Sequence, residues 1–265
     1  MTSCATGLAV LHELPASTRL ALLGPPALFL VGFLGFLVRC GLHGVPRSPR
    51  IDALGASKLV PRVILEYGYW FLQLPVRSLV ALRVTPNSIT MSSLVLAAGA
   101  GVAFGKGRFG VGGWLLFAAH TADALDGMVA RATDVSSDRG AFLDALIDRY
   151  ADFAIYLGIM WYFRDDVAPL VLSVCALIGA SVMGYARAKG EAVGIDPNVG
   201  WMTRHERGVV LGTLTVLSPI ATPFIEPGVA HPRHYLVWVA VGLIACFSNI
   251  AAIWRAHFVM SRMTR

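Results

Sequence analysis

Four aspartates define the chemistry open to this chain. Asp123 and Asp126 stand three residues apart, and Asp144 and Asp148 four apart, inside otherwise apolar stretches. Residues at these spacings share one face of a helix, so each pair presents two carboxylates in one direction. A short polar loop joins the two stretches, which makes the helices antiparallel and brings all four carboxylates towards one end. A single charged carboxylate at membrane depth costs ~2.5–3.5 kcal/mol, and four without counter-charge would repel strongly. The cations near them in sequence are Arg131, Arg139 and Arg149. The arrangement therefore predicts divalent cations, two for four carboxylates. Hard oxygen donors with no histidine or thiol cluster beside them favour Mg2+ or Mn2+ over Zn2+. Gly127 follows Asp126 and Gly140 lies one turn before Asp144, so a substrate can approach the helix backbone there.

The other polar residues nearby are read more plainly. Asp134 and Asp138 belong to the solvated loop and receive no role. Asp152, one turn beyond Asp148, is expected to pair with Asp148 or Arg149 or to serve helix packing. His120, one turn before Asp123, reads as a hydrogen-bonded packing residue rather than a ligand. Cys4, Cys40, Cys175 and Cys246 contain no C-x-x-C pair and read as small hydrophobes.

The elements that must hold the aspartates are membrane helices. Of 265 residues, 56% are hydrophobic and 14% charged, where soluble domains carry about 25% charge. The apolar residues fall into long runs, and ~20 of them suffice to cross a bilayer. Six runs follow one another: Ile89–Phe104, Phe109–Ala130, Phe142–Phe163, Val167–Tyr185, Val209–Ile225 and Tyr235–Trp254. Before them, Thr85-Pro86-Asn87-Ser88 is a turn and helix start at which Asn87 or Ser88 can cap. Lys58–Arg83 mixes Tyr67, Tyr69, Trp70 and Phe71 with basic residues, the composition of a helix lying in the headgroup layer. Leu20–Val38 is a further run without a basic n-region or cleavage site, read as a retained span kinked at Pro25-Pro26. The expected fold is an all-α, multi-pass transmembrane bundle with seven spans. It has a six-helix core, an N-terminal surface helix and an extra N-terminal hydrophobic helix, divided as 1–57 and 58–265.

The net charge of +6 and pI near 9.4 do not indicate nucleic acid, because the basic residues flank apolar runs instead of clustering with aromatics in a polar domain. An anionic lipid surface is the expected partner. Arg47, Arg50, Lys58, Arg62, Arg77, Arg83, Arg131, Arg139, Arg187, Lys189, Arg204, Arg207 and Arg255 all fall on one side of the predicted topology. The positive-inside rule makes that side, and the aspartates with it, cytoplasmic.

The whole stretch reads D-x-x-D-G-x-x-A-R-x8-G-x-x-x-D-x-x-x-D from Asp123 to Asp148, and it resembles the signature of the CDP-alcohol phosphatidyltransferases. Thr85-Pro86-Asn87-Ser88-Ile89-Thr90 resembles the family's entry to its first core helix, and the likeness runs from about Lys58 to Arg262. The run before Lys58 departs from the minimal family plan. The resemblance implies that Asp123, Asp126, Asp144 and Asp148 ligate two divalent ions, with Asp148 as general base. It implies that Asp123, Gly127, Ala130, Arg131 and Gly140 bind the CDP portion of a CDP-diacylglycerol donor, and that the enzyme is a homodimer in a bacterial plasma membrane. Arg187, Arg204 and Arg207 suit an anionic acceptor; the ordinary positive-inside excess accounts for them equally well. Their region is similar to that of phosphatidylinositol-phosphate synthases, so the acceptor is expected to be inositol phosphate or inositol. Glycerol 3-phosphate is the alternative, and serine, a small zwitterion, has less need of several arginines. Two other classes of protein depart from this pattern. UbiA-like prenyltransferases place their aspartate motifs on distant helices, and a cation transporter would place carboxylates near mid-membrane on broken helices.

Overall fold

A computed structural model describes residues 16–44, 62–197, 199–229 and 231–263. Arg47, Arg50 and Lys58 fall outside them, as does Cys4. Among the described residues the chain is helical throughout, in eight helices: α1 (Ala16–His43), α2 (Arg62–Ala81), α3 (Pro86–Gly105), α4 (Phe109–Ala132), α5 (Asp138–Tyr162), α6 (Val167–Ala192), α7 (Arg204–Ile225) and α8 (Tyr235–Arg262). Contacts divide the chain into two units, between Arg77 and Ser78.

In the first unit α1 and α2 meet through aromatic rings. Phe36 is fully buried against Tyr67 and Trp70, at centroid separations of 5.5 and 5.6 Å. Phe33 meets Tyr67 edge-on at 5.2 Å. Such offset and edge contacts suit the ring quadrupoles.

The second unit is a closed ring of six helices. α3 packs on α4 and α5, α4 on α7, α7 on α8, α8 on α6, and α6 back on α5. Small residues line the seams, as close approach between membrane helices requires. Ala97, Ala100, Ala119, Ala151, Ala176 and Ala240 are buried with Phe104, Leu116, Ile155, Ile159 and Ile244. At the α3–α5 crossing Gly101 and Gly158 lie so close that a Cβ on either would strike the other helix's backbone carbonyls.

Among the described residues four helices, α3, α6, α7 and α8, are long and apolar enough to cross a membrane, which makes this an integral membrane protein. α4 and α5, at 24 and 25 residues, have the length but carry the four aspartates. Each predicted core span is a helix here. Several helices run on past their apolar stretch, and they do so at one end: α5 begins at Asp138, α6 continues to Ala192, α7 begins at Arg204 and α8 continues to Arg262. Those extensions carry the polar residues of the site. One local expectation needs correction. Thr85, not Asn87 or Ser88, caps α3, its hydroxyl accepting from the Ser88 amide at 3.3 Å. Pro86 takes the first helical position, where its fixed φ fits and its missing N–H costs nothing.

Candidate active site

Three caps place the site. Thr85 starts α3, Ser137 starts α5 by accepting from the Gly140 amide at 3.1 Å, and Thr203 with Glu206 forms a reciprocal capping box on α7. A box of this kind satisfies amides that a helix start leaves open. These starts set Thr90, Asp144 with Asp148, and Arg204 at one end of the ring. The last three turns of α4 bring in Asp123 and Asp126.

The four aspartates converge as their spacing predicted. Asp123, Asp126 and Asp144 each offer an oxygen within 4.8 Å of the others. Asp148 completes the group from the next turn of α5. Asp123 Oδ1 and Asp144 Oδ1 are buried and have no hydrogen-bond partner among the described residues. A buried carboxylate oxygen left in that condition is costly, and an all-oxygen cluster of this size fits a divalent cation. Asp126 is held differently. Its Oδ2 accepts from the buried Thr90 hydroxyl at 2.6 Å, which turns the carboxylate from a second helix. The sequence offered no pointer to Thr90 beyond its place in the helix-start motif, since 36 residues separate the two partners.

The cation among the carboxylates is Arg204, not the arginines nearest in sequence. Its Nη1 lies 2.7 Å from Asp123 Oδ2 and its Nη2 2.9 Å from Asp148 Oδ1. Arg131 is exposed, with its guanidinium folded back over Gly127. Arg139 is exposed. Arg149 points to α6, where it donates to the Ala180 carbonyl at 3.3 Å.

Beneath this layer lies a small cleft lined by His120, Asp152, Tyr156, Arg204, Arg207 and Gly208. Arg207 is buried; it donates to Asp152 at 3.2 Å and to the Met202 carbonyl at 3.0 Å. Asp152 thus partners an arginine of α7, a pairing across 55 residues, and not Asp148 or Arg149. His120 Nδ1 sits 3.1 Å from the Leu116 carbonyl, and its ring covers Gly208 where a side chain would collide. It is a packing residue, as expected. Arg187 is exposed on α6 and pairs with Glu191 at 2.7 Å; it does not join the carboxylates. Asp134 and Asp138 are exposed in the loop region. Gly127, Ala130 and Gly140 are half-buried beside the aspartates.

The comparisons with known proteins agree with this geometry. A profile of the CDP-alcohol phosphatidyltransferases matches residues 83–247. The phosphatidylinositol phosphate synthase of Mycobacterium tuberculosis is 29% identical over 192 residues, 71% of this chain and 87% of that protein. The synthase of Cutibacterium acnes is 30% identical over 190 residues, 70% of this chain and 87% of that protein. A crystal structure of the M. tuberculosis enzyme with CDP-DAG bound superposes with a TM-score of 0.61 at 26% identity, covering 72% of this chain and 96% of that one. Another, in complex with manganese and citrate, gives 0.62 at 26% identity over 71% and 91%. The profile spans more than half of the chain and contains every aspartate of the cluster, so this protein belongs to the CDP-alcohol phosphatidyltransferase family.

Proposed function

We propose that this transferase moves the phosphatidyl group of CDP-diacylglycerol to an inositol phosphate and releases CMP, at the cytoplasmic face of a bacterial plasma membrane and as a homodimer. One observation carries the reading: carboxylates from two helices meet with buried, unpartnered oxygens beside a basic layer on α7. The relatives named for phosphatidylinositol phosphate synthesis support the acceptor.

The roles divide by position. Asp123, Asp126, Asp144 and Asp148 would hold two Mg2+ or Mn2+ ions, with Thr90 fixing the Asp126 carboxylate. Such ions, once bound, neutralise the donor diphosphate and the charge of the departing CMP. Gly127, Ala130 and Gly140 leave the α4 and α5 backbones open for the nucleotide, and Arg131 lies over that opening. Asp148 accepts the proton of the acceptor hydroxyl. The acceptor oxygen then bonds to the lipid-side phosphorus as the bridge of the diphosphate breaks, and CMP carries away the negative charge. Arg204 and Arg207 on α7, with Arg187 on α6, supply the positive field for an acceptor phosphate. The acyl chains remain among the apolar helix faces.

The test is CMP release from CDP-diacylglycerol by purified protein with Mg2+, across inositol 1-phosphate, free inositol, glycerol 3-phosphate and serine. Release with inositol 1-phosphate, lost in Asp148→Asn, is expected. Release with glycerol 3-phosphate alone would overturn the acceptor, and no release with any of the four would overturn the phosphatidyl-transfer reading.

A further inference from the structure

Arg204 occupies an unusual position. A residue suited to an anionic acceptor instead grips two of the carboxylates assigned to metal binding, one from α4 and one from α5. Resting on that metal reading, we infer that Arg204 is a resident cation of the carboxylate cluster. It competes with a divalent ion for Asp123 and Asp148, and it yields those oxygens as the ion binds.

Three observations lead there. The first is charge. Four carboxylates against one guanidinium leave three negative charges close together, which one divalent ion reduces to one. A second divalent ion matches the four carboxylates only if the guanidinium leaves. Keeping both cations between Asp123 and Asp148 would place like charges in contact, where repulsion is strong.

The second is geometry. Asp123, Asp126 and Asp144 form one three-oxygen cluster, in which Asp123 Oδ1 and Asp144 Oδ1 are open for a ligand. An ion there needs nothing that Arg204 holds. Asp148 stands outside that cluster, and its Oδ1, though without a hydrogen-bond partner, faces Arg204 Nη2 as an ion pair at 2.9 Å. An ion that used Asp148 together with Asp123 would need the oxygens the guanidinium now contacts. The two sites therefore differ: one is open, the other is guarded.

The third is how weakly Arg204 is tied to anything else. Its Nε is buried without a hydrogen-bond partner, and among the described residues its ion pairs run to Asp123 and Asp148. Arg207, one turn on, is pinned to both Asp152 and the Met202 carbonyl. Arg204 is also the first residue of α7, after a connection with positive φ at Gly200 (98°) and Met202 (58°). Its side chain is free to swing once its two oxygens are taken, whereas Arg207 stays as the brace.

The experiment is Mn2+ binding to the purified full chain in detergent, followed by isothermal titration and by the electron paramagnetic resonance of free Mn2+. The wild type is compared with Arg204→Ala and Arg204→Lys, and Arg204→Gln serves if the alanine variant does not fold. The wild type is expected to bind one ion tightly and one weakly. Arg204→Ala is expected to tighten the weak site about 5–150-fold, the usual range for coupled ligands, with the tight site unchanged and Arg204→Lys near wild type. Thermal unfolding gives a second readout. With chelator the alanine variant melts below the wild type, and saturating Mn2+ closes the gap. Two wild-type sites with unchanged or weaker Mn2+ affinity in Arg204→Ala would overturn the competition while leaving the metal reading intact. A wild type that binds no Mn2+ would remove both.

Discussion

The two ends of the six-helix ring bury different polar groups: hydroxyls, a histidine and indoles at one, carboxylates from two helices and an arginine at the other. At the far end, where α4 begins and α5 ends, several polar groups pair with one another, while Glu226 Oε1 and the indole nitrogens of Trp114 and Trp238 are buried without a hydrogen-bond partner among the described residues. The His234 ring lies 2.8 Å from Ser218 Oγ and 3.1 Å from Thr222 Oγ1. Tyr162 donates to the Pro232 carbonyl at 2.6 Å, and one oxygen of Glu226 accepts from the Arg233 amide. Phe109, Tyr162, Phe163 and His234 stack into one aromatic knot. At the site end, buried carboxylate oxygens of Asp123 and Asp144 stand open and Arg204 keeps an unfilled donor. The far end holds the helices together. The site end forgoes stability to keep ligand positions available, as functional sites do.

Each expected outcome tests that contrast. Removing divalent metal should abolish CMP release altogether and lower the melting temperature; a binding contribution of about 2.7 kcal/mol is expected with the ion at a hundred times its Kd. Adding Mg2+ or Mn2+ back should restore both. Asp148→Asn should cut the rate roughly 10²–10⁴-fold, the usual worth of a general base, without lowering the melting temperature of the metal-free protein. A large loss of stability there would place structural work at the wrong end. Thr90→Val should weaken metal binding or activity roughly 10–100-fold, as loss of a group orienting a ligand does, and Thr90→Ser should recover most of it. A circular dichroism melt of both variants separates misfolding from loss of orientation.

The smallest effect belongs to the far end. His234→Ala strands the buried Ser218 hydroxyl, Thr222 keeping its bond to the Ser218 carbonyl, and should cost about 1–3 kcal/mol of stability while leaving kcat and KM unchanged. Burial lowers the His234 pKa below its usual value, opposed by the Glu226 charge. The unfolded chain then binds the proton more readily than the folded one, so stability falls as pH drops through about 6.5. Melting temperatures across that range, in wild type and His234→Ala, should show the slope in the first and its reduction in the second.

Much of this molecule is legible along the chain. Apolar runs of bilayer length, interrupted by Gly, Pro and charge, locate the core helices, because spanning a membrane is a constraint each segment meets by itself. The aspartate spacing places each pair on one helix face and, through a short loop, both pairs at one end. The basic residues of α7 are visible as a cluster. What Arg204 and Arg207 touch is not, and neither is the partner of Asp152. The nearest cations in sequence, Arg131, Arg139 and Arg149, point elsewhere in space.

The amino-acid sequence alone therefore determined the helices, their class and the convergence of four carboxylates, since these follow from periods and spacings within one or two helices. The tertiary structure decided the order of helices around the ring, the Thr90 grip on Asp126, the Arg207–Asp152 brace and the bridge of Arg204 across Asp123 and Asp148. Those contacts join residues on different helices, and their partners become known only once ring closure sets which faces meet. Local pattern fixes where a side chain points on its own helix, and packing across the ring decides what it meets there.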